Sequence, residues 1–179
     1  AAAVGIVEKI ICFLFLLPSS MLSAISALAA QNMGAGLHKR ARHTLYTGMA
    51  ISAVFGLVIS LVFQLAAYPF ISLFSKEEAV VQLGSQYLRS YVFDCFFAAF
   101  QFSFSGFFCA YGYSILSFLH NIISIFLVRI PGAALAAKFF PDTLYPMGWA
   151  STTGSLLSSI ICLAFYLVQK RRRKFGGSK

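Results

Sequence analysis

Two ionisable side chains inside long apolar segments give this sequence its clearest capacity for chemistry. Asp94 falls within an apolar run over 87–111, and Arg129 falls within another over 114–137. A charge at the centre of a bilayer costs about 3 kcal/mol on insertion scales, so each residue needs a partner or a function. A buried carboxylate can hold a cation or release a proton, depending on its neighbours. We interpret Asp94 as the one carboxylate inside an apolar segment.

Three interpretations of Asp94 stay open at this point. If the two segments are neighbouring antiparallel helices, Asp94 and Arg129 lie at similar depth and can form a structural ion pair. Asp94 can instead bind an ion whose movement drives the protein, or it can simply be solvated in a cavity. An ion pair that breaks during the working cycle would satisfy the first two interpretations.

Polar residues continue from Asp94 along one face of the same segment. Helical spacing places Gln101 and Ser105 on the face that carries Asp94, which predicts a stripe facing protein or water. In the next segment, Asn121 and His120 lie on a polar side as well. We interpret these four polar residues as cavity-lining candidates. Asn121 can alternatively form a hydrogen bond between helices, and His120 can titrate near neutral pH if its surroundings allow.

The elements that must position these residues are apolar helices. The 179-residue sequence is 59% hydrophobic and 11% charged, and a helix of about 20 apolar residues crosses a bilayer. The sequence predicts an all-α integral membrane protein whose partner is the lipid bilayer. A bundle of five transmembrane helices would occupy residues 1–170, followed by a basic tail over 171–179. The predicted spans are 4–30, 45–74, 87–111, 114–137 and 146–169.

Basic residues are concentrated directly beyond apolar segments. The net charge of +9 comes largely from clusters over 38–43 and 170–174. Nucleic-acid binding is one explanation of such clusters, but their placement follows the positive-inside rule, so we expect no nucleic-acid partner. The loop after the first span and the tail would be cytoplasmic, with the N-terminus outside, in a multi-pass protein of the cell (plasma) membrane. With no initiator Met and no signal pattern, we expect the chain to be the C-terminal part of a longer protein.

No arrangement typical of an enzyme or a metal centre is present in the sequence. The four cysteines are spread over three of the predicted spans without a CxxC spacing, which is typical of small packing residues. The three histidines do not converge with acidic residues, and no nucleotide-binding loop is present. We therefore expect no catalytic residues, no metal and no cofactor.

The end of the first span has the most specific local pattern. Small residues lead into Gln31 and Asn32, and then Gly34 and Gly36 precede a basic turn. Such glycines end a helix, and small residues permit close helix packing.

Two prolines lie inside predicted spans and away from their ends. Pro18 and Pro131 each remove a hydrogen bond and favour a kink, which can act as a hinge or as a fixed bend. In the second span, small residues at i, i+4 spacing predict a seam for close packing. The seam consists of Thr44, Gly48, Ser52, Gly56 and Ser60.

The glycine-ended segment resembles the multidrug and toxic compound extrusion (MATE) family. Each lobe of those proteins contains a small-residue helix that ends in a Gln-Asn-x-Gly-Ala-Gly-like segment and a basic loop. Further matches follow in order over essentially the whole chain. They are Tyr87-Leu88-Arg89, Ser105-Gly106-Phe107-Phe108-Cys109-Ala110-Tyr111-Gly112, Arg129-Ile130-Pro131 and Gly148-Trp149-Ala150.

The resemblance implies a fold and a function. It implies that the chain is the last five helices of the second lobe of a twelve-helix transporter, whose partners are the N-terminal lobe and the first helix of its own lobe. The implied activity is antiport, in which inward movement of Na⁺ or H⁺ drives export of small, often aromatic, organic cations by alternating access. The family uses membrane-embedded acids in the helix that contains Asp94. Alternatives are a lipid-intermediate flippase of the wider superfamily, a non-transporting membrane scaffold and an inactive fragment.

Overall fold

A computed structural model describes residues 2–140 and 143–171, and this part of the chain is built from helices joined by short turns. Residue 1, residues 141–142 and residues 172–179, which make up most of the predicted basic tail, lie outside it. The helices are α1 (Ala2–Leu14), α2 (Leu16–Gly34), α3 (His38–Ser72), α4 (Glu78–Tyr91), α5 (Asp94–Ala110), α6 (Ser114–Ser124), a π-helical turn (Ile125–Arg129), α7 (Ile130–Phe139) and α8 (Tyr145–Arg171).

The described helices include enough long apolar segments for a polytopic membrane protein. Four are long and apolar enough to cross a bilayer: Ala2–Gly34, His38–Ser72, Ser114–Phe139 and Tyr145–Arg171. The pair α4 and α5, bent by 41°, gives a fifth if it is counted as one span. The predicted all-α membrane fold is therefore confirmed.

The third segment begins earlier than the hydropathy of the sequence indicates. Helix α4 starts at Glu78, whereas the apolar run starts at residue 87. The first turns of α4 are amphipathic: Val81 and Leu88 are buried, while Gln82 is exposed. A search for continuous apolar sequence does not detect a helix that has one polar face.

Pro18 and Pro131 each lie near an irregular turn. Helix α1 is interrupted at Phe15, three positions before Pro18. Before Pro131 the backbone widens into the π-helical turn, where the Ile130 N–H donates to the Ile125 carbonyl. Proline crowds the carbonyl four residues earlier and cannot donate to it, and a wider turn is one way to accommodate this.

The bend between α4 and α5 is stabilised by side chains from two other helices. Gln64 Nε2 on α3 donates to the Arg89 carbonyl at 2.8 Å, and Ser60 Oγ donates to the Val92 carbonyl at 3.1 Å. Thr152 Oγ1 on α8 donates to the Ser90 carbonyl, also at 3.1 Å. A bend disturbs the regular backbone ladder, and in lipid the affected carbonyls need donors from within the protein.

Gly36 ends α2 in a left-handed conformation with φ of +72°. The Leu37 N–H donates to the Asn32 carbonyl at 2.7 Å, and the Gly36 N–H donates to Met33 at 2.9 Å. This pattern is a Schellman motif, which satisfies the last carbonyls of a helix. Gly112 ends α5 in the same way, with φ of +77°. The two ends are adjacent, since His38 Nδ1 lies 3.1 Å from the Tyr111 hydroxyl.

Two apolar cores lie along the bundle. One forms between α1, α3 and α4, and the other forms between α2, α3, α5 and α8. Helices α2 and α5 pack so closely that a Cβ on Gly106 would clash with the Leu22 carbonyl. In contrast, the α6–α7 segment exposes large apolar side chains over most of its surface, such as Ile115 at 80%. Lipid is the expected environment of those side chains.

The predicted small-residue seam on α3 is a packing surface. Gly48, Ser52, Gly56 and Ser60 are all buried. A Cβ on Gly56 would lie 2.8 Å from the Cys95 carbonyl oxygen and 2.8 Å from Phe96 Cα. Since both atoms belong to the backbone of α5, no side-chain movement can make room for a larger residue.

Gly56→Val is therefore expected to destabilise the protein. Overpacking typically costs about 1–3 kcal/mol, and here the helices themselves must separate. Thermal denaturation in detergent, followed by size-exclusion chromatography of the protein in its native full-length context, should show a lower melting temperature. Gly5→Val is the matched control because nothing lies within 4 Å of a Cβ at Gly5. Equal melting temperatures for the two variants would contradict the packing argument.

Candidate functional site

Asp94 is the first residue of α5 and lies directly after the bend. Its side chain is 0% exposed. The Arg129 Nη2 group donates to Asp94 Oδ2 at 3.0 Å and to Ser155 Oγ at 2.6 Å. The other oxygen, Asp94 Oδ1, is buried without a hydrogen-bond partner among the described residues. A carboxylate at a helix N-terminus is favoured by the helix dipole, so two positive influences act on Asp94.

Arg129 reaches Asp94 from the last position of the π-helical turn. Its side chain is 29% exposed, so it is less enclosed than its partner. Gly154 on α8 gives it room, since a Cβ there would lie 2.7 Å from Arg129 Cγ. The Gly154 carbonyl also accepts a hydrogen bond from Ser124 Oγ at 2.6 Å, which attaches the end of α6 to α8.

The structure also brings together the other polar residues singled out from the sequence. Gln101 Nε2 donates to Asn121 Oδ1 at 2.7 Å, linking α5 to α6. His120 is fully buried. Its Nε2 lies 2.9 Å from Ser105 Oγ, and its Nδ1 lies 2.6 Å from Ser158 Oγ on α8. One ring nitrogen of a neutral histidine donates and the other accepts, so two hydroxyl groups satisfy it completely.

The polar side chains divide into two groups. Gln101 and Asn121 line a cavity of about 330 Å³ together with Arg129. Ser105 and His120 do not line it, and they form a closed hydrogen-bonded set between α5, α6 and α8. Among the described residues no group of three or more His, Cys, Asp or Glu side chains is arranged to hold a metal ion.

The prediction that Asp94 is the one carboxylate inside an apolar segment is wrong, because Glu8 also lies inside one. Glu8 lies in the middle of α1 and also lines the cavity. Its Oε1 accepts a hydrogen bond from the Tyr87 hydroxyl at 2.6 Å. A signal was present in the sequence, because Glu8 interrupts the apolar run that begins at residue 4.

Ser155 and Ser158 are contacts that the sequence analysis did not assign to the site. Both are fully buried on α8, where they bond Arg129 and His120 respectively. Ser159, one position further, instead donates to the Phe97 carbonyl at 3.0 Å. Serines at helical spacing in an apolar segment also fit plain packing, so the pattern alone does not reveal their partners.

Comparison with known proteins relates this geometry to a family. The model of the MatE family matches residues 1–135. The chain is 25% identical over 162 residues to "Probable multidrug resistance protein NorM" of Halalkalibacterium halodurans, with 90% of this chain and 35% of the relative covered. It is 28% identical over 166 residues to "Protein DETOXIFICATION 14" of Arabidopsis thaliana, with 90% and 34% covered. The chain thus spans about a third of the length of both relatives.

Solved structures share the fold. The chain superposes on the eukaryotic MATE transporter AtDTX14 with a TM-score of 0.85 and 25% identity, covering 98% of this chain and 39% of that one. It also superposes on an inward-facing multidrug resistance MATE family transporter of the MOP superfamily, with a TM-score of 0.83 and 19% identity, covering 99% and 42%. The family model covers well over half of the chain, and the chain therefore belongs to the MATE transporter family.

Proposed function

We propose that this chain is part of a cation-coupled antiporter that exports small, often aromatic, organic cations by alternating access. The coupling ion is Na⁺ or H⁺, and Asp94 is the residue that binds it. The single observation that carries this proposal is the completely buried Asp94, paired with Arg129 beside a cavity. The printed name of the bacterial relative, a multidrug resistance protein, supports the export of drugs.

The ion pair offers a physical route to coupling. A buried carboxylate without a counter-charge costs several kcal/mol, so Asp94 must hold either the guanidinium group or a cation from solution. Oδ1, which has no hydrogen-bond partner among the described residues, provides an acceptor for an entering Na⁺ or proton. Once the cation neutralises Asp94, the attraction that holds Arg129 in place is lost.

Release of Arg129 would affect several helices at once. Arg129 also bonds Ser155 on α8, and it is the last residue of the π-helical turn, directly before α7. Asp94 lies at the bend between α4 and α5. Irregular helical positions are where a helix most easily adopts a second arrangement, so binding of one ion at this pair can change how α5, α7 and α8 pack.

Aromatic side chains support the substrate class. A second cavity of about 330 Å³ is lined by Phe96, Phe97, Phe100 and Phe104 on α5. The rest of its lining is also largely apolar. Organic cations bind to such rings through cation–π contacts, and aromatic rings stack favourably on one another.

The proposed setting follows from the same reasoning. The protein would lie in the cell (plasma) membrane as a multi-pass protein, with the N-terminus of this chain outside and its C-terminus in the cytoplasm. Its partners would be an N-terminal lobe and a further helix of its own lobe, which together with this chain enclose the substrate pathway.

Asp94→Asn tests the coupling role. The substitution keeps the size of the side chain but removes the charge that a cation must neutralise. In proteoliposomes that contain the protein in its native full-length context, transport driven by a Na⁺ or H⁺ gradient should fall to about a tenth or less. A tenfold fall corresponds to a loss of about 1.4 kcal/mol in the free energy of cation binding. Glu78→Gln, which removes an exposed carboxylate at the start of α4, should transport normally. Gradient-driven transport at the wild-type rate in Asp94→Asn would contradict the proposal.

Arg129→Met tests whether the stability of the protein depends on Asp94 and Arg129 neutralising each other. Removal of one partner of a buried ion pair costs about 3–5 kcal/mol, because the other charge stays buried. The melting temperature in detergent should therefore fall in Arg129→Met and recover largely in the double variant Asp94→Asn/Arg129→Met. Lys138→Met, at an exposed position of α7, is the control. If the double variant melts no higher than Arg129→Met, the pair does not depend on mutual neutralisation.

A further inference from the structure

Glu8 has a position that neither the family resemblance nor the proposed role of Asp94 explains. It lies on α1, far from Asp94 and Arg129 in sequence, yet it lines the same cavity as Arg129. It is half-buried and accepts the Tyr87 hydroxyl hydrogen bond at 2.6 Å. Tyr87 is itself 2% exposed. A structural carboxylate could have been replaced at less cost by a neutral acceptor, since a charge inside an apolar segment is expensive.

The charges around the cavity do not balance. Among the described residues that line it, Glu8 and Arg129 carry a charge, and Asp94 adds a second carboxylate behind Arg129. Glu8 is close enough to interact electrostatically with Asp94. Two carboxylates therefore share one guanidinium group, and one monovalent cation would complete the neutralisation. Arg129 can satisfy only one of the two carboxylates in full at any time.

Arg129 has the freedom that a change of partner requires. Both of its hydrogen bonds within the described part of the chain leave from one nitrogen, Nη2. Its side chain is 29% exposed, towards a cavity that holds Glu8. Arginine offers five N–H donors in a planar fork and binds a carboxylate best with two of them. A single donor to Asp94 leaves the other nitrogens available for a second carboxylate.

We propose that Glu8 is the alternative partner of Arg129, which receives the guanidinium group when the coupling cation occupies Asp94. The Tyr87 hydroxyl stabilises the Glu8 carboxylate while Arg129 is at Asp94, and it is released when Arg129 arrives. The ion pair therefore changes partner, from Asp94 with Arg129 to Glu8 with Arg129, so that no charge is left unpaired once the cation is bound. This inference rests on the proposed coupling role of Asp94 and adds Glu8 as a positioning residue.

The exchange makes opposite predictions for two substitutions. Glu8→Gln removes the alternative partner, so Arg129 competes harder for Asp94 and the half-saturating cation concentration should rise about tenfold. Tyr87→Phe removes the hydrogen bond that competes with Arg129 at Glu8, so that concentration should fall several-fold. A merely structural role for Glu8 and Tyr87, which bond each other, would move both variants in the same direction.

The measurement uses proteoliposomes that contain the protein in its native full-length context. Transport of a fluorescent organic cation is titrated with Na⁺ at fixed pH, and with protons in the absence of Na⁺. Glu8→Asp, which keeps the carboxylate, should lie between wild type and Glu8→Gln. Glu78→Gln is the matched control for loss of a carboxylate at an exposed position. In an Arg129→Gln background, Glu8→Gln should change the half-saturating concentration much less, because the competing group is absent and only the electrostatic effect of Glu8 on Asp94 remains.

The outcomes separate this inference from the proposed function. If Asp94→Asn abolishes coupling while Glu8→Gln and Tyr87→Phe leave the half-saturating concentration unchanged, the exchange is overturned and the coupling role stands. If Asp94→Asn transports normally, the coupling role itself is overturned. An effect of Glu8→Gln that persists undiminished in the Arg129→Gln background also overturns the exchange. If Glu8→Gln does not fold, the shift in Tyr87→Phe decides: a fall supports the exchange, and a rise or no change overturns it.

Discussion

A carboxylate and a guanidinium group enclosed among apolar helices depend on each other, and the geometry around Asp94 follows from that dependence. Neither charge is tolerated alone where water is scarce. The bend before α5 places Asp94 at a helix N-terminus, the π-helical turn carries Arg129 at its last position, and Gly154 leaves room for the arginine on α8. Three departures from regular helix packing thus meet at one ion pair. Each of these departures costs some local stability, and all three are needed to bring Arg129 within hydrogen-bonding distance of Asp94.

The same scarcity of water explains how the bend is maintained. Where α4 gives way to α5, backbone carbonyls accept hydrogen bonds from Gln64, Ser60 and Thr152 on two other helices. In water such carbonyls would be solvated, and the bend would need no support. In lipid they bind the bend to α3 and α8. The acidic residue that follows the bend is therefore held in place by neutral side chains whose hydrogen bonds go to the backbone of the bend.

The sequence predicts the parts of this arrangement that depend on regular geometry. Segment length predicts the membrane helices, and the helical period places Gln101 and Ser105 on the face of Asp94. The sequence does not single out Glu8, because it lies beside Lys9 and only four positions inside the predicted span 4–30, where a charged pair also fits the membrane surface. The partners of Ser155 and Ser158 were missed because serine at helical spacing fits packing equally well. The π-helical turn was not predicted because it contains one additional residue in a single turn, which the hydrophobic period does not resolve. The start of α4 was not predicted because it is amphipathic rather than continuously apolar.

The close approach of α2 and α5 divides the molecule into parts of different rigidity. Gly106 brings the two backbones into contact near Leu22, and both helices end in matching Schellman motifs that lie side by side. Sliding between them would break backbone contacts that side chains cannot replace. The α6–α7 segment, with side chains such as Ile115 and Leu127 turned outwards, has far fewer such restraints. Since Arg129 belongs to that segment, the thickness and lateral pressure of the surrounding bilayer act directly on the element that carries the positive charge.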